Sequence, residues 1–237
     1  ARMNEFEAGS FSSTTTLDGY AAFALAAVDG GDTVGEHEKT TSNYVYQMNL
    51  NTSFTGDDNL YVRLKAKGGW TNLGKKPGTY HNLPGGGSDT LAVDKIWYTL
   101  PINDRRTATI GPKIENYYML AATPSVYKPK LLKAFRFGGH GAAFGASTST
   151  GLGLKYEADN GFASSVTVNS KGGATSNGFL TKEDVNKVNV MAAYTADNYH
   201  LSATYTTQQG AFSAFQYFST ADIIGSKDTD GYALRAW

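Results

Sequence analysis

The chain of 237 residues contains no cysteine, which excludes a disulfide scaffold, a cysteine-ligated zinc site and a thiol nucleophile. Neither sign of charge is in excess, because 21 basic residues balance 21 acidic ones. There is therefore no broad basic surface for nucleic acid, and we expect no nucleic-acid partner. Proline is scarce at 6 residues, whereas glycine (27), tyrosine (15) and phenylalanine (12) are plentiful. With 41% apolar and 18% charged residues, the composition differs from that of a disordered chain.

Long hydrophobic runs are also missing. The longest run of apolar residues extends from Ala21 to Val28, far short of the roughly 20 residues that a membrane-spanning helix needs. Residues 1–7 contain no apolar segment of the kind found in signal peptides. If the protein is exported, we expect its signal to have been removed.

What the sequence has in abundance is alternation of apolar and polar residues with a period of two, which is typical of strands with two unlike faces. The apolar phase slips between Val93 and Ile96, which predicts a β-bulge there. Ten strands are predicted, at about residues 17–27, 44–54, 60–67, 90–100, 107–111, 152–156, 162–170, 188–194, 199–205 and 231–237.

The connections between these strands alternate between short and long. The short ones lie near residues 56–59, 102–106, 158–161 and 196–198; the long ones cover about residues 29–41, 68–89, 112–150, 171–186 and 208–230. Outer-membrane barrels have short periplasmic turns and long outer loops, and a tilted strand needs about 9–11 residues to cross the bilayer. The pattern predicts an all-β, antiparallel, up-and-down transmembrane β-barrel in contact with outer-membrane lipid.

Many aromatic residues lie near the predicted strand ends, where aromatic girdles meet the membrane interface. A preference of tyrosine for strands would place them there as well. The residues concerned are Tyr44, Tyr46, Phe54, Tyr61, Trp97, Tyr98, Tyr156, Phe162, Tyr194 and Tyr199.

The first candidate functional group is basic. Arg63, Lys65 and Lys67 alternate along one predicted strand and therefore share one face. In a soluble sheet they would form a solvated outer face. In a barrel they face the lumen, because charge on the lipid face costs about 2–4 kcal/mol at the midplane. We expect a basic ladder that lines a pore and favours anions.

The second candidate is the longest connection, residues 112–150, since long loops in compact domains are usually functional. In a barrel such a loop can fold into the lumen and narrow it; the alternative is an ordinary outer cap. The constriction candidates are Lys113, Glu115, Tyr117, Tyr118, Lys128, Lys130, Lys133 and Arg136.

Signatures of catalysis and cofactor binding do not occur. The four histidines have no metal-ligand spacing, and the glycines near His140 do not complete a dinucleotide or phosphate loop. Asp57 and Asp58 could bind calcium, but a turn needs such residues anyway. We expect no cofactor, no metal and no enzymatic activity.

Four segments resemble cyanobacterial major outer-membrane porins of the carbohydrate-selective, iron-uptake-like porin family. Phe11–Gly19 (FSSTTTLDG) is similar to the opening barrel strand, and Thr52–Leu64 to the next hairpin. Val93–Tyr98 (VDKIWY) and Gly111–Leu120 (GPKIENYYML) are the most specific matches. The likeness covers roughly residues 10–155 and is weaker beyond them.

This resemblance implies a homotrimeric passive channel for small solutes and inorganic ions. It also implies attachment to the cell wall through an upstream surface-layer-homology domain and a coiled coil. Residues 1–10 would be the tail of that coiled coil, and residues 11–237 would be the barrel. Family members have about sixteen strands, a number at which barrels enclose aqueous channels. We therefore expect the barrel to continue past Trp237.

Two other interpretations remain open. A soluble β-sandwich or sugar-binding barrel would also contain alternating strands, but it would not need the long connections to lie at one end. An outer-membrane barrel hydrolase would need a Ser/His or Asp/His constellation at the rim, and no histidine lies in an evident motif.

Overall fold

A computed structural model describes residues 14–27, 40–69, 86–122, 148–209 and 228–237. In these ranges the chain forms ten β-strands and one 3-10 turn, Asn116–Met119. The strands are β1 (Thr15–Ala26), β2 (Thr41–Thr52), β3 (Asn59–Gly68), β4 (Ala92–Asn103), β5 (Arg106–Glu115), β6 (Thr148–Glu157), β7 (Phe162–Ser170), β8 (Asn186–Thr195), β9 (His200–Gln208) and β10 (Thr229–Ala236).

All ten strands belong to one antiparallel sheet in which spatial order follows sequence order from β1 to β10. This up-and-down topology and the number of strands confirm the prediction. Within the described ranges β1 pairs only with β2, and β10 only with β9. One predicted boundary is wrong: β5 runs on to Glu115 past a register shift between Gly111 and Ile114, so the longest connection is residues 116–147 rather than 112–150.

The predicted alternation of short and long connections is confirmed. The turns between strands at one end of the sheet span residues 53–58, 104–105, 158–161 and 196–199; the connections at the other end span residues 27–40, 69–91, 116–147, 171–185 and 209–228. In an antiparallel meander every second connection lies at the same end, so all the long connections share one end of the sheet.

The sheet has one apolar and one polar face, and the polar face is the better buried. On β9 the polar residues His200, Ser202, Thr204, Thr206 and Gln208 are buried, whereas the intervening Leu201, Ala203, Tyr205 and Thr207 are exposed. The neighbouring strand continues the pattern, because Asn189 pairs with Thr206 and Val190 with Tyr205. We call these two sides the polar face and the apolar face.

Exposure of large apolar side chains is extensive on the apolar face. Phe23, Leu25, Tyr232 and Leu234 are 83%, 77%, 78% and 88% exposed. Burying such a side chain is worth about 1.5–3 kcal/mol each, so a soluble protein would turn this face inward. The inverted pattern favours a lipid-facing sheet over a soluble sandwich. No helix within the described ranges is long and apolar enough to cross a membrane.

The predicted bulge in β4 is confirmed, since the pairing with β3 shifts between Arg63 and Leu64, where Asp94 is the extra residue. Three aromatic pairs lie near short turns. These pairs are Phe54–Tyr98, Tyr156–Phe162 and Tyr194–Tyr199, with ring centroids 6.1–6.4 Å apart.

Two of the residues assigned to the aromatic girdle lie elsewhere. Tyr61 and Trp97 are partners in the β3–β4 pairing and occupy the polar face, next to Arg63 and Lys95. For these two residues the girdle assignment is wrong, because their position in the alternation, rather than their distance from a strand end, decides which face they occupy.

Candidate pore site

The basic ladder lies on the polar face. Arg63, Lys65 and Lys67 pair across to Asn49, Gln47 and Val45 of β2. The period of two in β3 places all three side chains on one side, as the sequence predicts. A fourth basic residue joins them, since Lys95 on β4 is the direct partner of Arg63.

Arg63 has several charged and polar partners. Its guanidinium lies 3.5 Å from Glu115 and 3.7 Å from Asp94. Its Nε donates to the Tyr61 hydroxyl at 2.9 Å, and to Asn49 Oδ1 at 3.3 Å. The side chain is only 12% exposed. Two carboxylates therefore balance its charge within the wall of the sheet.

Beyond Glu115 the chain leaves the sheet and crosses the polar face. The residues from Asn116 to Ala122 are called the crossing segment here. Asn116 Oδ1 accepts hydrogen bonds from Ser149 on β6 and Asn169 on β7, both at 3.0 Å. Further along, the Ala121 amide donates to Ser165 Oγ on β7 at 2.8 Å.

The far end of the crossing segment reaches β8. The Ala122 amide donates to the sulfur of Met191 at 3.4 Å. Leu120 and Met191, which are 5% and 1% exposed, form one apolar cluster. The segment thus spans β6, β7 and β8 on the side that the ladder also occupies.

Glycines make room for this crossing. A Cβ added to Gly153 on β6 would lie 2.7 Å from Met119 Cβ, closer than real Cβ atoms approach. At Gly151 it would lie 3.1 Å from Met119 Cε. The alternating glycines of β6, which have no side chains on the polar face, therefore form a trough that receives Met119.

An aromatic stack joins the ladder to the crossing segment. Tyr61 stacks on Trp97 at 4.2 Å between centroids, and Trp97 contacts Tyr118 at 5.1 Å. Tyr117 and Tyr118 stack at 4.8 Å between centroids.

A buried apolar cluster lies beside this stack. It consists of Trp97, Ile114 and Met119, and Tyr61 packs against it. Tyr61 has the same phase as Arg63 in the alternation of β3. This phase is the feature of the sequence that predicts its place on the polar face.

A cavity of about 280 Å³ lies beside this stack, with Tyr118 and Met119 of the crossing segment in its wall. Hydroxyl, amide and ammonium groups supply most of the remaining lining. These residues are Asn51, Asn59, Thr99, Thr107, Thr109 and Lys155. The space would suit a small polar solute, and its size depends on where the crossing segment lies.

The predicted constriction residues fall into three groups. Tyr117 and Tyr118 belong to the crossing segment, and Glu115 lies at its root. Lys113 lies within β5 instead, where its direct partner is Ile96 on the apolar face. Four others lie outside the described residues: Lys128, Lys130, Lys133 and Arg136.

Within the described ranges, no group of three His, Cys, Asp or Glu side chains could hold a metal ion. Asp58 of the candidate calcium pair uses its carboxylate within its own turn, where it accepts from the Phe54 and Thr55 amides at 2.9 and 2.7 Å. His200 stacks on Trp237 and bonds to Thr195 Oγ1 at 2.8 Å. His37, His81 and His140 lie outside the described residues.

Comparison with solved structures identifies the fold. A triple mutant of Rhodopseudomonas blastica porin matches 94% of this chain and 68% of its own chain, with a TM-score of 0.56 and 17% identity. Another mutant of the same porin matches the same shares at a TM-score of 0.52 and 17% identity. The chain therefore has the fold of a porin barrel wall.

Sequence comparison is less informative. No family model matches the chain. An uncharacterized protein of Nostoc sp., alr4550, is 44% identical over 70 residues, which cover 28% of this chain. The match spans only 11% of that relative's length.

Proposed function

We propose that the chain forms the wall of a passive diffusion channel in a bacterial outer membrane. The observation that carries this proposal is the inverted sheet: buried polar side chains line one face, and exposed apolar side chains cover the other. In a closed barrel the polar face surrounds water and the apolar face contacts lipid. Movement of solute through such a channel needs no cofactor.

The crossing segment supports a channel with a constriction rather than an open pore. It lies across β6 to β8 on the polar face, where a loop folded into the lumen would lie. Its aromatic and amide groups, together with the ladder, would sort small solutes and inorganic ions by size and charge. Because Lys65 and Lys67 add positive charge to that face, we expect a preference for anions.

The outer edges of β1 and β10 bear on how the barrel closes. Within the described ranges β1 and β10 each pair with one neighbour, and in lipid each unpaired backbone group at such an edge costs several kcal/mol. We therefore propose that further strands pair with these edges, in a barrel of about sixteen strands. The intact mass of the native protein is the test: a mass near 25.4 kDa contradicts the proposal, and a mass about twice as large supports it.

The finer assignments rest on the resemblance of the sequence. Residues 93–98 and 111–120 are similar to cyanobacterial porins of the carbohydrate-selective family. Homotrimer formation, attachment to the cell wall through an upstream domain, and transport of iron or carbohydrate belong to this proposal.

A planar bilayer recording tests the function directly. Detergent-purified native protein should produce discrete, ohmic conductance steps, and a heat-denatured sample should produce none. A soluble sandwich would remain in aqueous buffer without detergent and leave the bilayer silent. A barrel hydrolase would cleave ester or peptide substrates; the described residues offer His200 for such a role, and its ring is stacked on Trp237.

A further inference from the structure

Arg63 is connected differently from the rest of the ladder. One guanidinium nitrogen, Nη1, lies 3.5 Å from a Glu115 oxygen and 3.7 Å from an Asp94 oxygen. Because a cation flanked by two anions projects little net field, Arg63 contributes less to the potential of the lumen than its formal charge suggests. A role in ion selection alone does not account for this arrangement.

Two of the partners of Arg63, Glu115 and Tyr61, lead to the crossing segment. Glu115 is the last residue of β5, so the ion pair fixes the point at which the chain leaves the sheet. The Tyr61 hydroxyl accepts a hydrogen bond from Arg63 Nε. The guanidinium carbon of Arg63 also lies over the Tyr61 ring, 5.6 Å from the ring centroid. Tyr61 in turn stacks on Trp97, and Trp97 contacts Tyr118 of the segment.

We propose that Arg63 is a positioning residue, which holds the crossing segment against the polar face through Glu115 and the Tyr61–Trp97–Tyr118 stack and so sets the width of the channel. This inference rests on the proposed function. Removing one partner of a partly buried ion pair leaves the other charge uncompensated. Without Arg63, Glu115 loses its cation while Asp94 keeps Lys95 at 3.9 Å, and the root of the segment moves away from the wall.

Single-channel recordings of the native protein distinguish width from charge, because the two roles predict conductance changes of opposite sign for Arg63→Gln. If Arg63 and Glu115 act by charge in an anion-preferring pore, Arg63→Gln lowers conductance and Glu115→Gln raises it. If they act together as an anchor, both substitutions release the segment, and both raise conductance and open-channel noise. The exchanged pair Arg63→Glu with Glu115→Arg should restore conductance towards the wild-type value.

Two further variants serve as controls. Arg105→Gln removes an arginine that pairs with Asp159 at an exposed short turn, and it should leave conductance unchanged. Arg63→Lys keeps the charge but loses the planar fork that engages several acceptors. Arg63→Lys should therefore raise conductance while the reversal potential stays at the wild-type value. This variant still tests the positioning role if Arg63→Gln does not fold.

The inference and the proposed function fail in different ways. A wild-type protein without channel activity contradicts the function. If the wild type conducts but Arg63→Gln and Glu115→Gln change conductance in opposite directions, or leave it unchanged, the positioning role alone is overturned. The positioning role is also overturned if Arg63→Lys has wild-type conductance, or if the exchanged pair does not bring conductance back towards the wild-type value.

Discussion

Tyr98 on β4 donates its hydroxyl hydrogen to Asp58 Oδ2 at 2.5 Å and so ties the turn between β2 and β3 to the neighbouring strand. The other carboxylate oxygen of Asp58 accepts from Ser53 Oγ, Thr55 Oγ1 and two backbone amides. The hydrogen bond from Tyr98, together with those from Thr55 and Ser53, holds the pKa of Asp58 well below its ordinary value of 3.8, against the effect of burial.

The first prediction follows from this lowered pKa. Because the folded pKa lies below the unfolded one, the ionised carboxylate stabilises the fold above pH 4, and this contribution is lost as pH falls further. Asp58→Asn should therefore unfold more easily in detergent at pH 7, and the difference from wild type should shrink below about pH 4. Asp57→Asn, in the same turn, is the matched control and should behave like wild type at both pH values. A difference that persists undiminished at pH 2 contradicts the prediction.

A second prediction concerns selectivity. Replacing the whole ladder, Arg63, Lys65 and Lys67, by Gln should lower anion preference without unfolding the barrel. Lys65→Gln with Lys67→Gln should account for most of this change, because both substitutions remove positive charge while Arg63 keeps its carboxylate partners. The measurement is the reversal potential in a KCl gradient.

The effect of the two lysines should be larger near 0.1 M salt than near 1 M, where the screening length falls from about 10 to about 3 Å. Lys182→Gln, in an exposed loop, controls for net charge. An unchanged reversal potential would place the lysines outside the conduction path.

The third prediction concerns the longest connection. Deleting residues 124–146 should raise single-channel conductance if the connection narrows the lumen, whereas shortening residues 71–84 should not. If the deletion changes only antibody or phage access, the connection is an outer cap.

A fourth prediction concerns the glycine trough. Gly153→Ala should lower the free energy of unfolding by about 1–3 kcal/mol, because the new methyl group overlaps Met119. Replacing Met119 by Gly in the same chain, which also removes the Cβ at 2.7 Å, should recover part of this loss, and the coupling is read from a double-mutant cycle in urea. Leu154→Ala, on the apolar face of the same strand, controls for a local change in side-chain size. Additive effects of the Gly153 and Met119 substitutions would show that the two residues do not compete for this space.

The sheet could be predicted from the sequence because each strand carries its own evidence. Alternation assigns Arg63, Lys65 and Lys67 to one face without knowledge of any other strand, and the phase slip between Val93 and Ile96 reveals the bulge. Gly, Asp and Asn then mark the short turns.

The site could be predicted only in part, because its contacts join distant parts of the chain. Ala122 meets Met191 across 69 positions of sequence. Nothing local to Glu115 indicates that it faces Arg63, and nothing near Gly153 indicates that Met119 lies above it. Nearness to strand ends predicts a girdle position for Tyr61 and Trp97, whereas their phase in the alternation predicts the polar face that they occupy.

The strict alternation along β9 also constrains how the barrel assembles. A slip of one residue would turn Ser202, Thr204 and Thr206 towards lipid and Leu201 and Tyr205 towards water, since neighbouring side chains point to opposite sides. Each hydroxyl moved into hydrocarbon without a partner costs on the order of a few kcal/mol. Errors in strand pairing are therefore confined to slips of two residues, which keep every side chain on its proper side and leave the turns to decide the register.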